Sequence, residues 1–209
     1  MLTLYRAVKS TEMREENLYL TTRRTPGNVP YLVDNLWEWL RPEGFPCRRH
    51  CAYASPTPKL ALACASVSPD QKDGFVVTTV TFHGRVAIAQ LPQSDAKFHP
   101  DVKALAKLIL DFRGTEWRSQ AIGDRLDMAP LFLPVISKEE VEGIFGSIKG
   151  GDELSAMIRA KSRFWQDAVL LTPTDKTLSH PEGELFFEAF DGHRLTRTIN
   201  TETDQANAL

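Results

Sequence analysis

The stretch His180–Gly192, "HPEGELFFEAFDG", decides how the rest of the chain is read. Its apolar centre, Leu185-Phe186-Phe187, is bounded by glycines and predicts a short strand entering a core. Three carboxylates, Glu182, Glu184 and Glu188, lie in or beside that run. In an extended segment Glu182 and Glu184 project to the same face, because side chains alternate with a period of two. Paired carboxylates on one face are equipped to stabilise positive charge or to move a proton. Glu188 has the same parity and is expected as a charge at the strand's edge.

Outward from this strand, "FWQDAVLLT" before it and "HRLTRTI" after it alternate well enough to be strands. At the other end, "LTLYRAV" predicts a first strand and "ENLYLTT" a second. "VPYLVDNLWEWLRPEG" predicts an amphipathic helix, with Pro30 in its first turn, Leu32, Leu36, Trp39 and Leu40 at helical spacing, and Pro42 with Gly44 ending it. "RRHCAYAS" predicts a strand and "TPKLALACASV" a helix of small residues. "GFVVTTVTFHGRVAIAQL" predicts two strands joined by a turn at His83-Gly84. A helix from Pro100 to Phe112 follows, with Leu105 and Ile109 on its apolar side.

The segment at about 114–162 is expected as a helical insertion that carries specificity. It begins with the mixed signals of "GTEWRSQAIGDRLDMAPLFLPVIS" and continues with a capping box, Ser137 facing Glu140, and the helix "GDELSAMIRAKS". Strands at both ends with helices between them predict an α+β fold. The chain of 209 residues suits a single domain over 1–200 with a flexible tail at 201–209.

A net charge of -2, from 25 basic and 27 acidic residues, offers no broad basic field for nucleic acid or for an anionic membrane. No apolar run approaches the roughly 20 residues of a membrane span. The start lacks the apolar core of a cleaved leader, and the three cysteines Cys47, Cys51 and Cys64 fit a reducing, cytoplasmic compartment. Neither a GxGxxG nor a P-loop follows a strand, so any nucleotide is held by another geometry.

Arg6 is the one charge inside the first strand. Its guanidinium could fork onto a phosphate, and the alternative is a solvent-facing strand arginine. "CRRHCAYASPTP" gathers Cys47, His50, Cys51, Tyr53 and Ser55. Zinc is not favoured, because no second Cys/His pair follows at ligand spacing. A thiol nucleophile, Cys47 or Cys51 with His50, is an alternative chemistry, although a free Cys is more often a small buried hydrophobe. Tyr53 has core packing as its competing reading.

An Arg on the first strand, Ser55 ahead of a helix, and Glu182-Gly183-Glu184 opening a late strand together resemble the Arg, Ser-Thr-Ser and Glu-x-Glu signature of mono-ADP-ribosyltransferases of the Arg-Ser-Glu class. Tyr53-Ala54-Ser55 stands where that family has Ser-Thr-Ser, and the separation from Ser55 to Glu184 exceeds that of compact members. Arg6 with Cys47, His50 and Tyr53 is further similar to a narrower group, the CteC-like bacterial effectors that ADP-ribosylate ubiquitin on a threonine.

The resemblance implies a split β-sheet core and NAD+ as co-substrate, with no metal. It implies Glu184 as the carboxylate that stabilises the ribosyl cation and Glu182 as the group that meets the acceptor. Arg6 would hold a phosphate, Ser55 would orient Glu184 or the ribose, and Tyr53 or His50 would stack on a ring. It implies a monomer acting on a protein acceptor, ubiquitin among the expected ones, in a host cytosol. A first Glu in this motif commonly accompanies arginine acceptors. The competing hypotheses are a non-enzymatic interaction or immunity-like domain and a Cys-His hydrolase.

Overall fold

The structure is a computed structural model and describes residues 2–25, 27–65 and 74–198. It is a mixed α+β fold with two antiparallel four-stranded sheets. The first sheet has the order β1 (Tyr5–Lys9), β4 (Phe75–Phe82), β8 (His193–Arg197), β2 (Glu16–Asn17); the second has the order β3 (Ala52–Ala54), β7 (Leu185–Ala189), β5 (Val86–Gln90), β6 (Val169–Leu171). Among the described residues one isolated bridge stitches the sheets together. Tyr5 N–H donates to Ser55 O at 3.0 Å, and Ser55 N–H returns a bond to Tyr5 O at 2.8 Å.

β7 shows why the quoted stretch is so apolar. Leu185 and Phe187 belong to the core between the two sheets, together with Leu4, Ala54, Val80, Ile88 and Leu195. Phe186 faces the other way, into a larger core with α1 (Tyr31–Leu40), α3 (Asp101–Arg113), α4 (Lys138–Ser147), α5 (Gly151–Lys161) and α6 (Phe164–Asp167). A strand buried on both faces needs a continuous apolar run rather than an alternating one. The order of layers is therefore first sheet, second sheet, helices.

Several sequence expectations change on contact with this architecture. The second strand shrinks to Glu16–Asn17, and Leu18 beyond it is 86 % exposed. Arg48–His50 forms a 3-10 turn, so only Ala52–Ala54 of "RRHCAYAS" is strand. Phe164–Asp167 is one helical turn before β6. β4 and β5 do not pair across His83-Gly84, because the chain there passes from the first sheet into the second. Gly84 sits at φ +130, with Asp191 Oδ2 2.7 Å from where a Cβ would stand. That turn is built to cross between layers, which local turn chemistry does not distinguish from a hairpin.

α1 has the amphipathic pattern expected of it, yet it is buried around most of its circumference. Asp34 and Asn35 lie inside with Leu36 and Trp37, and they receive Arg49: Nε donates to Asp34 Oδ2 at 2.9 Å, and a terminal nitrogen donates to Asn35 Oδ1 at 2.6 Å. A buried charge survives where it is paired and bonded in this way. The segment expected as an insertion is woven into the same core, through Trp117, Met128, Leu131, Val141, Phe145, Leu154 and Ile158. Its capping box forms as predicted, with both Ser137–Glu140 bonds present. The proposed tail at 201–209, and the end of the "TPKLALACASV" helix beyond α2 (Pro58–Ala65), lie outside the described residues.

Candidate functional site

The site is assembled at the mouth of β7. Gly183 lies so close to Leu91 that a Cβ there would stand 1.9 Å from the Leu91 carbonyl oxygen, which only glycine avoids. Glu184 follows, and its backbone is fixed on both sides: its N–H donates to Gln93 O at 2.7 Å and its carbonyl accepts from Leu91 N–H at 2.9 Å. The side chain then enters a cavity of about 300 Å³. Tyr5, Arg6, Asn28, Tyr53, Ser55 and Asp95 are among the residues that line it with Glu184.

One Glu184 oxygen, Oε2, accepts from Ala96 N–H at 3.0 Å and lies 3.8 Å from an Arg48 guanidinium nitrogen. Ala96 opens a 3-10 turn capped by Asp95, whose Oδ1 accepts from Lys97 N–H at 2.9 Å and from Asn28 Nδ2 at 2.7 Å. Burial pushes the Glu184 carboxyl up to about 7, against the pull of the Arg48 charge, and Asp95 adds to the rise. A carboxyl poised there changes charge near neutrality, a property that clusters at functional sites.

Arg6 projects from β1, and its guanidinium lies 3.5 Å from His193 Nε2 on β8. Burial, with Arg6 beside it, lowers the His193 imidazole to about 4. The ring is therefore neutral at pH 7 and can lend a lone pair to the arginine. Burial and the nearby Arg24 charge lower Arg6 itself to about 10, so it stays cationic at neutral pH. Arg24 is anchored to the Arg48–Cys51 turn twice, by its N–H to Arg49 O at 2.9 Å and by its guanidinium to Cys51 O. It lines a second cavity of about 320 Å³ with Thr25, Gly27, Asn28, Arg48 and Tyr53. Tyr53 and Asn28 belong to both cavities, so the two compartments adjoin.

Of the residues singled out from the sequence, Arg6, Tyr53, Ser55 and Glu184 come together, and Glu182 and His50 do not. Glu182 is exposed on the turn closed by Gly183 N–H to His180 O at 3.2 Å. The chain is not extended there, so the shared face expected for Glu182 and Glu184 does not arise. His50 Nδ1 donates to Leu20 O at 2.6 Å, and the ring stacks on Tyr19 and lines a different cavity with Cys47, Glu38 and Glu188. No hydrogen bond joins Ser55 to Glu184 among the described residues; the Ala96 N–H holds the carboxylate instead.

Glu188 is no edge charge. It is buried and accepts from Tyr19 Oη and from Cys47 N–H, each at 2.8 Å. The thiol chemistry also loses its footing. Burial and the Glu38 charge push Cys47 up to about 11, and burial pushes Cys51 well above the usual thiol range. Neither is poised as a thiolate.

The residues missed from sequence are Arg24, Asn28, Asp95, Ala96 and above all Arg48. Arg48 and Arg49 are adjacent and alike in the string, and only the fold sends one to Asp34 and the other to Glu184. Among the described residues no group of His, Cys, Asp and Glu is arranged to hold a metal ion, and no helix is long and apolar enough to cross a membrane. The chain matches no protein-family model, no curated protein and no solved structure, and its function is therefore inferred from this cavity.

Proposed function

We propose that the chain is an NAD-dependent mono-ADP-ribosyltransferase acting on a protein. The observation that carries this is the convergence of Arg6, Tyr53, Ser55 and Glu184 on one cavity from separate elements of both sheets. Their order along the chain resembles the Arg, Ser and Glu motifs of the Arg-Ser-Glu transferases. The two stitched antiparallel sheets are compatible with that family's split core.

The chemistry follows from the placement. Cleaving the bond between nicotinamide and ribose builds positive charge at the anomeric carbon, as in glycoside hydrolysis. Glu184 is the carboxylate to meet that charge, fixed at the start of a packed strand where its aim does not wander. The cationic nicotinamide ring of NAD would itself favour ionisation of a carboxyl near 7. Arg6 and Arg24 supply positive charge to the two adjoining compartments and suit the diphosphate. Tyr53, shared by both compartments, presents a ring on which a base or nicotinamide could stack. Ser55 is left to bond the ribose, and exposed Glu182 to meet the acceptor, for which a ubiquitin threonine is the candidate the resemblance supplies.

Release of nicotinamide from NAD tests the reading. Glu184→Gln should lower the rate by at least about 10²-fold while NAD binding persists, because the change removes charge and little shape. Undiminished turnover in that variant would sink the proposal.

A further inference from the structure

Arg48 is the least ordinary residue near the cavity. Its side chain is 2 % exposed, and Nε and both terminal nitrogens have no hydrogen-bond partner among the described residues. Four rings enclose the guanidinium carbon: Phe164 at 5.3 Å, Tyr53 and Phe186 at 5.4 Å and Trp37 at 5.5 Å to the ring centroids. Ring faces attract a desolvated cation, but they do not neutralise it. A guanidinium cannot shed its proton in a protein, so it cannot escape burial by becoming neutral.

The compensation has to come from a carboxylate. Glu184 is the one carboxylate within 4.0 Å of Arg48 among the described residues, while Asp34 is already taken by Arg49. Tyr53, Cys51 and Asp34 also act on the Arg48 charge, and Asp95, Tyr53, Cys64 and the Ala96 N–H surround Glu184. Arg6 is a second cation lining the same cavity, but among the described residues Arg48 is the one cation within 4.0 Å of the Glu184 carboxylate.

We propose that Arg48 is a positioning residue for Glu184: a permanently charged guanidinium, caged by rings behind the cavity wall, that favours the ionised carboxylate against its burial and aims it into the cavity. The coupling of the two groups stands on geometry alone, and its consequence for turnover rests on the transferase reading. The aromatic cage gives the arrangement its one-sidedness, since rings on the other sides leave Glu184 as the direction in which the guanidinium finds an anion.

The test is an NMR titration of the Glu184 carboxyl carbon and of the Arg48 guanidinium resonances, with Glu184→Gln used to assign them. In the wild type both should move with one midpoint, and Glu184→Gln should abolish the Arg48 response. Arg48→Gln should raise the Glu184 midpoint by about 1 unit or more, the effect of removing an opposite charge at this range, and Arg48→Lys should restore most of it. The acid limb of the turnover profile should shift the same way, which a purely structural loss would not produce.

An Arg48 resonance that stays flat while Glu184 titrates in the wild type overturns the proposal, whether or not the Arg48 variants fold. An unmoved Glu184 midpoint in folded Arg48→Gln overturns it equally. Coupled titration without NAD turnover would leave Arg48 and Glu184 paired and remove the transferase reading; turnover with no coupling would do the reverse.

Discussion

At the scale of single residues the proposed chemistry turns on Glu184 and its neighbours. Its carboxyl, pushed up to about 7 by burial, should impose an acid limb near that value on kcat/KM for NAD, since this ratio reports the free enzyme. An acid limb near the ordinary glutamate value would contradict it. Stability carries the same signature. The folded chain keeps the Glu184 proton up to about pH 7, whereas the unfolded chain releases it near 4.5, so between those values the folded state binds more protons and loses stability as pH rises. Glu184→Gln does not titrate, so its Tm relative to the wild type should climb from pH 5 to pH 8; a constant difference would argue against the shifted carboxyl. Gly183→Ala should force the Leu91 carbonyl aside, costing about 1–3 kcal/mol and displacing Glu184, readable as joint loss of Tm and turnover.

At the scale of elements, much was legible because local signals and burial agreed. The capping box at Ser137, the helical spacing of Leu105 and Ile109, and the apolar run of β7 all fold as their patterns ask. Ser137→Ala should cost about 1 kcal/mol of stability and leave nicotinamide release unchanged, since α4 starts away from the residues lining the cavity. Illegible features were those set by a distant partner. The turn at Gly84 looks like a hairpin until Asp191 and the second sheet are in place, and Asp34 and Asn35 look like the solvated side of α1 until Arg49 arrives to satisfy them. Glu182 misled for a local reason: the His180–Gly183 turn ends before the strand begins, so a period of two does not reach it.

At the scale of the whole molecule, the cavity exists because the two sheets meet at Tyr5 and Ser55 while β7 carries Glu184 past their junction. The helical layer is equally structural. Trp117, Met128, Leu131, Phe145 and Ile158 share one core with α1 and with Phe186 of β7. Deleting residues 115–161 should therefore abolish cooperative unfolding rather than merely change acceptor choice; a folded, NAD-binding remnant would show that the segment is an appendage. Sequence order could propose Arg6, Ser55 and Glu184 as one site, but the caged Arg48 and the Arg24 compartment needed three dimensions. The most direct test of the whole account is intact mass spectrometry of ubiquitin after incubation with NAD and either the wild type or Glu184→Gln. An ADP-ribose increment with the wild type alone is the predicted result; absence of both the increment and any nicotinamide release, in a folded wild-type chain, would contradict the claim that this cavity transfers ADP-ribose.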